Sequence, residues 1–161
     1  AGLMLYSPFF NRLLLKYLNN DRHSFIDDDN RIRAIFLLQY VVMGEEKEYN
    51  EHELFLNKII TGRPIEKPLP RSLTLSESEK TMADDMLEAG KNHWEKLRGT
   101  TIMTIREAFL KRPGTIQIND NGMWEIKVEE KAYDMLFDSL PWNFRMLKCP
   151  WNENIIYTKW R

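Results

Sequence analysis

Residues 115–129 read TIQINDNGMWEIKVE, two segments that alternate apolar with polar residues on either side of Asn121-Gly122. Alternation is the period of a half-buried strand, and Asn-Gly between two such runs is the strongest short-range signal for a β-hairpin. Ile116 and Ile118 share a face of the first strand, and Trp124, Ile126 and Val128 share a face of the second. Upstream the apolar spacing is helical, so this stretch divides the chain into a helical part and a sheet part.

Working outward toward the N-terminus, Ser7-Pro8 has the form of an N-cap followed by proline at the first helical position. Phe10, Leu13, Leu14, Tyr17 and Leu18 then line one face of a short amphipathic helix. Asp29 or Asn30 can cap a second helix, apolar nearly all round from Ile32 to Met43 and stopped by Gly44. Asn50 with Glu53 forms a capping box for a third helix ending at Gly62. Pro64, Pro68 and Pro70 make the next stretch an extended connector, because each pushes its predecessor out of the helical region. Ser76 with Glu79 is a second capping box, opening the longest helix over residues 77–97, with His93 and Trp94 on its core side. Residues 102–111 repeat helical spacing until Pro113-Gly114. Beyond the hairpin, KAYDMLFDSL suits a short helix, and WNFRMLK and NIIYTKW suit two further strands. The expected fold is α+β: about five helices packed on a small, mainly antiparallel C-terminal sheet, in a single domain spanning 1–161.

The composition agrees with a bulky core. Five Trp, six Tyr and eight Phe stand against only seven Gly in 161 residues. Four of the Trp (Trp124, Trp142, Trp151 and Trp160) lie after residue 123. Hydrophobic content of 43% with a net charge of -1 excludes intrinsic disorder, and the balance of 23 basic and 24 acidic residues gives no attraction to a phosphate backbone. Nucleic acid is therefore not an expected partner. Nor is membrane insertion, since no apolar run approaches the length of a span. A single cysteine, Cys149, rules out an internal disulfide. The chain starts at Ala1 without an initiator Met, which suggests a processed chain or a piece of a larger protein.

Chemistry-bearing motifs are scarce. His23, His52 and His93 are far apart in sequence, and His52-Glu53 is not followed by the second histidine of a zinc helix. Asp27-Asp28-Asp29-Asn30 resembles the start of a calcium loop, but Ile32 and Leu38 stand where its glycine and final glutamate belong. Capping and turn duty is the expectation there. No phosphate-binding glycine loop or nucleophile elbow occurs, and no catalytic residue, metal or cofactor is expected. Two Pro-Trp corners, Pro141-Trp142 and Pro150-Trp151, are spaced by nine residues with Trp160 nine beyond. These indoles can pack the sheet against the helices, or serve as anchors for a partner. Residues 45–53 set five Glu against one Lys. That loop is either a solvated face or a steering surface.

Taken in order, AGLMLYSPFFNRLL, RAIFLLQYVVMG, ELFLNKIITGRPIEKPLP, NHWEKLRGTTIMTIREAFLKRPG and DMLFDSLPWNFRMLKCPWNENIIYTKW resemble the C-terminal region of the contractile injection system tape measure protein family. Two departures are Thr61, where the pattern favours Cys, and Cys149-Pro150-Trp151-Asn152, where it favours Leu-Pro-Trp-Met. The resemblance implies a bacterial, non-enzymatic structural protein of a phage-tail-like particle, the globular C-terminal part of a longer chain. Its partners would be baseplate hub, spike and inner tube proteins. It would be assembled in the cytoplasm, then carried inside the particle, with a homo-oligomer possible in the assembled state. A compact chain of this size spans about 30–40 Å, too little to measure a tube by itself. The candidate docking residues are Trp142, Trp151, Trp160, Glu45, Glu46, Glu48, Arg63 and Pro64. The rival expectation is a small hydrolase or transferase whose carboxylates are assembled by the fold. A third is peptide binding in a groove along the long helix.

Overall fold

In the computed structural model, which describes residues 1–161, the α-helical segments are α1 (Phe10–Leu13), α2 (Asp28–Met43), α3 (Phe55–Thr61), α4 (Glu77–His93) and α5 (Ile102–Ile105). The strands are β1 (Gly114–Ile118), β2 (Trp124–Val128), β3 (Met146–Lys148) and β4 (Ile155–Lys159). Short 3₁₀ segments link them, the longest at Gly2–Phe9 and Ala132–Ser139, and α5 continues into a π-helical turn over Arg106–Leu110. The α+β class holds. The sheet runs β1-β2-β4-β3; its two outer pairs are antiparallel and its central pair, β2 with β4, is parallel, so the sheet is mixed. A parallel pair needs a crossover. Here the connection from β2 runs through the 3₁₀ segment at Ala132–Ser139 and β3 before returning as β4.

The hairpin forms where expected, with a wider turn than Asn-Gly alone would give. Gly122 N–H donates to Asn119 O at 2.9 Å, and Gly122 takes φ of 75°, so the glycine occupies the left-handed position of a three-residue loop. The Asn119 carboxamide accepts the N–H groups of Asn121 and Met123, each at 3.0 Å, and holds the loop closed.

The first helical segment departs most from expectation. Instead of starting at Ser7-Pro8, helical turns begin at Gly2, contain Pro8, and bury Leu3 to Ser7 completely. The cause is tertiary: a Cβ on Gly2 would lie 1.7 Å from Phe109 O, so the segment is pressed backbone to backbone against the π-helical turn. The central helix α2 is capped by Asp27, two residues before the earlier of the expected caps, through a 2.8 Å bond from Asn30 N–H. Its C-terminus carries two devices. Gly44 sits at φ 71° and donates to Tyr40 O at 2.8 Å, while Arg106 donates to Val41 O at 3.0 Å and to the Asp84 carboxylate at 3.0 Å.

Glu79 shows how a local signal becomes a tertiary one. It fills the capping box of α4 by accepting Ser76 N–H at 2.9 Å, yet it is buried and also accepts bonds from the Arg33 guanidinium of α2 and the Tyr17 hydroxyl. Burial alone would raise its pKa. Those hydrogen bonds outweigh it and bring the carboxyl down to about 2. Helix α4 ends at His93, earlier than expected. His93 is exposed, whereas Trp94, just past the end, turns inward and is fully buried.

A single contiguous cluster of 39 buried apolar residues joins helices and sheet. An aromatic chain runs through it: Phe9, Trp142, Trp94, Phe109, Phe137, Trp160 and Phe144 follow one another at centroid spacings of 4.7 to 6.2 Å.

Candidate docking surface

The connector after α3 poses a polar problem. Three prolines among residues 64–70 remove three N–H donors, and carbonyls beside them have no ladder to join. Two buried cations answer it. Lys58, on α3, sends its ammonium to Ile65 O at 3.0 Å, Lys67 O at 2.7 Å and the Glu51 carboxylate at 2.7 Å. Arg63 grips Asp28 with two bonds, at 2.5 and 2.6 Å, and donates to Pro68 O at 2.8 Å. The Asp28 carboxyl lies below its ordinary pKa, through the bonds from Arg63.

The acidic stretch 45–53 lies alongside this connector and is knitted to it. Tyr49 N–H donates to Arg71 O at 2.8 Å, Glu46 accepts Leu75 N–H at 2.8 Å and pairs with Lys80 at 3.4 Å, and Glu51 accepts Leu69 N–H at 2.5 Å. Glu53 closes the capping box on Asn50 N–H at 2.8 Å. Most of the acidic run is therefore committed internally. Glu48 is exposed and makes no ion pair within 4.0 Å, while Glu45 is exposed with only Lys47 nearby, at 3.7 Å. Half-buried Pro64 and exposed Ile65, Glu66, Lys67, Pro68 and Pro70 continue the strip along the connector.

The expected docking residues thus separate. Glu45, Glu46 and Glu48 lie past the C-terminus of α2, where Glu46 is tied to Leu75 and Lys80, whereas Pro64 follows Arg63 near the N-terminus of the same helix, about 24 Å away along its axis. Arg63 is buried and donates to Asp28 and Pro68 O, so it holds the connector and is no free docking group. The indoles are elsewhere. Trp160 is 1% exposed and donates its Nε1–H to Asp134 at 3.0 Å; Trp151 is 8% exposed and donates to Ile60 O at 3.0 Å. Both are core residues, which removes them as partner anchors. Trp142 is half-buried between Tyr6, Phe9 and Trp94, and its Nε1–H donates to Leu5 O at 2.7 Å. The second Pro-Trp corner has a definite structural task. Trp151 and Asn152 together satisfy carbonyls at the C-terminus of α3, the Asn152 carboxamide donating to Ile59 O at 2.7 Å.

Trp160 belongs to the other buried polar centre. Arg112 and Asp134 are each 1% exposed and joined by two bonds, at 2.8 and 2.9 Å. The guanidinium also donates to Ala108 O and Glu129 O and packs on the rings of Tyr133 and Trp160, each 5.2 Å from the ring centroid. Burial would raise the Asp134 pKa, but Arg112, Lys131 N–H and Trp160 drive it down. The rival enzymatic reading called for a pair of acids with raised pKa values. The two most deeply held carboxyls, Glu79 and Asp134, sit apart on separate arginines and both shift downward. No group of three or more His, Cys, Asp or Glu is placed to hold a metal, and no helix is long and apolar enough to cross a membrane. A groove of about 480 Å³ does run along α4, lined by Phe9, Leu13, Met82 and Met86 with Arg12 and His93 at its rim.

Sequence reasoning missed Lys58 and Arg112. The signal for Lys58 is a lone cation inside the apolar run LFLNKII just before a proline-rich stretch; Arg112, beside Pro113, has no comparable sign.

Residues 1–160 match the family model described as contractile injection system tape measure protein. No curated protein and no solved structure matches the chain.

Proposed function

The chain belongs to the contractile injection system tape measure protein family, and from that premise we propose that it is a non-enzymatic assembly domain that docks to a baseplate hub, spike or inner tube protein through the acidic loop and proline-rich connector. As a tape measure protein domain it is a structural component of the particle, with other particle proteins as its neighbours. The observation that supports this docking face is the pinning of the connector. Lys58 and Arg63 hold its carbonyls, and hydrogen bonds to Leu69, Arg71 and Leu75 tie the acidic loop to it, so the prolines and the exposed carboxylates of Glu45 and Glu48 are presented on a fixed backbone. A preordered surface loses less conformational entropy on binding than a mobile loop does. Six Glu against two Lys and two Arg over residues 45–53 and 63–71 leave the face net negative, so the complementary surface is basic and the association weakens with added salt.

Assembly would take place in the bacterial cytoplasm before the domain is enclosed. At about 30–40 Å across, this domain is assigned docking, and length measurement is assigned to an extended portion of a longer chain. Pull-down of separately purified hub, spike and inner tube proteins at micromolar concentration tests the reading. Retention of one of them, lost on Glu45→Lys/Glu48→Lys, is the expected result. Retention of none refutes it.

A further inference from the structure

The cations that reach into the fold are spent there: Arg33, Lys58, Arg63, Arg106 and Arg112 each hold a carboxylate. Arg12, Lys16 and Arg22 do not. All three are exposed and none forms an ion pair within 4.0 Å; Lys16 meets only the ring of Tyr17, 5.6 Å from its centroid. Arg12 and Arg22 stand on the walls of a cleft of about 340 Å³ between α1, the turn that follows it and the second Pro-Trp corner, with Leu15, Leu18 and Trp151 as its apolar part. No carboxylate lines it. The nearest acid in sequence, Asp21, turns back to accept His23 N–H at 2.9 Å, and Asp85, in the neighbouring groove along α4, stays beyond 4.0 Å from Arg12.

The backbone under Arg22 adds a second observation. Its φ is 63°, a left-handed conformation that glycine adopts freely and Asn or Asp more readily than a long side chain. Asn19, Asn20 and Asp21 stand just before it, yet the arginine takes the position. The turn is locked around it. Asn19 N–H donates to Ser24 O at 2.9 Å, Arg22 N–H donates to Asn19 O at 2.9 Å, and the Asn19 carboxamide donates to Ser24 Oγ at 2.9 Å and Phe25 O at 3.1 Å. Strain kept on a side chain that serves no group inside the protein marks a place where a group from outside binds.

We propose that this cleft seats a short acidic segment of a partner protein, an apolar side chain resting against Leu15 and Trp151 while carboxylates pair with Arg12 and Arg22. The volume is at the small end of ligand sites, so it holds the side chains of one segment and not a folded element. Carboxylates are the groups that the planar guanidinium fork matches with two bonds. The apolar part favours a peptide over a phosphate backbone, whose binding rests on cations alone. Because this partner is acidic, it differs from the basic surface that the 45–53 face fits, and the inference stands without that docking reading.

Fluorescence anisotropy with a labelled peptide of glutamates around a central leucine tests this. Saturable binding is expected, weakened about fivefold by Arg12→Gln and by the same factor by Arg22→Gln, the value of one exposed ion pair each. Alanine in place of the peptide's leucine should weaken it too. Lys127→Gln removes an exposed cation outside the cleft and should change nothing, as should Glu45→Gln/Glu48→Gln. Arg22→Gly separates binding from folding: glycine relieves the left-handed turn, so the chain should melt at or above the parent's temperature while its affinity falls as for Arg22→Gln. Absence of saturable binding, an equal loss on Lys127→Gln, or a single-stranded oligonucleotide bound as tightly through the same two arginines overturns the proposal. So does an Arg22→Gly chain that binds like the parent or melts well below it.

Discussion

Replacing Glu79 with Gln preserves the size of the side chain and removes its charge. In the folded protein that carboxylate is buried and accepts bonds from Arg33, Tyr17 and Ser76 N–H, and its pKa falls from 4.5 to about 2. A depression of that size corresponds to about 3 kcal/mol of folding free energy when the group is ionised. The sign follows from the direction. Because the folded value lies below the unfolded one, the stabilisation is complete above about pH 4.5 and is lost as the pH falls through about 2. Glu79→Gln also turns an amide N–H₂ or a weaker carbonyl acceptor toward the Arg33 guanidinium, so nothing in the variant replaces the lost attraction. Urea unfolding followed by tryptophan fluorescence, at near-neutral pH and then at steps downward, measures both parts. The variant should be about 3 kcal/mol less stable at neutral pH, and the gap should narrow as the parent protonates. Comparing variant with parent cancels the acid titration of Asp134 and the other carboxylates. A variant within about 0.5 kcal/mol of the parent at neutral pH, or a gap that stays constant through the acid range, would refute the assignment of Glu79 as a charged hub.

Three further outcomes follow from the core. Asp134→Ala leaves Arg112 buried without its counterion and strips the acceptor from Trp160, so it should cost about 3–5 kcal/mol in urea unfolding, most of it recovered when Arg112→Met and Asp134→Leu are combined. Gly2→Ala forces a methyl against Phe109 O and should lower stability by at least about 1–3 kcal/mol, whereas Gly99→Ala, with open space around it, should leave the melting temperature nearly unchanged. Burial pushes the Cys149 thiol up to about 12, with its side chain only 1% exposed, so a thiol-reactive chromophore should label it on the timescale of unfolding and not of mixing. Rapid stoichiometric labelling of the native chain would contradict that placement.

Local chemistry was legible wherever it was settled locally. Both capping boxes, at Asn50 and Ser76, and both stop glycines, Gly44 and Gly62, act as their spacing implies, and the hairpin forms around the quoted stretch. What escaped was decided by distant partners. Ser7-Pro8 satisfies every local rule for a helix start, yet the close approach of Gly2 to Phe109 winds the segment from its beginning. The parallel pairing of β2 with β4 leaves no mark in either strand's alternation, because period two gives a face and not a direction. The docking candidates divided for the same reason. An arginine beside a proline, or a tryptophan in a Pro-Trp corner, has one composition whether it meets Asp28, Ile60 O or a partner, and only the folded path shows that Arg63 and Trp151 are already engaged. The acidic run presented the converse case: five Glu read as one charged loop, but three of them are tied to the connector, to Lys80 and Lys58, or to the cap at Asn50.

The most direct test of the docking claim is a hydrogen-exchange footprint of the chain with and without the particle protein that it retains. Added protection over residues 45–53 and 63–71, with no change around Trp151 and Trp160, is the predicted pattern. Protection confined to the C-terminal strands, with the acidic loop and connector exchanging as in the free chain, would contradict it.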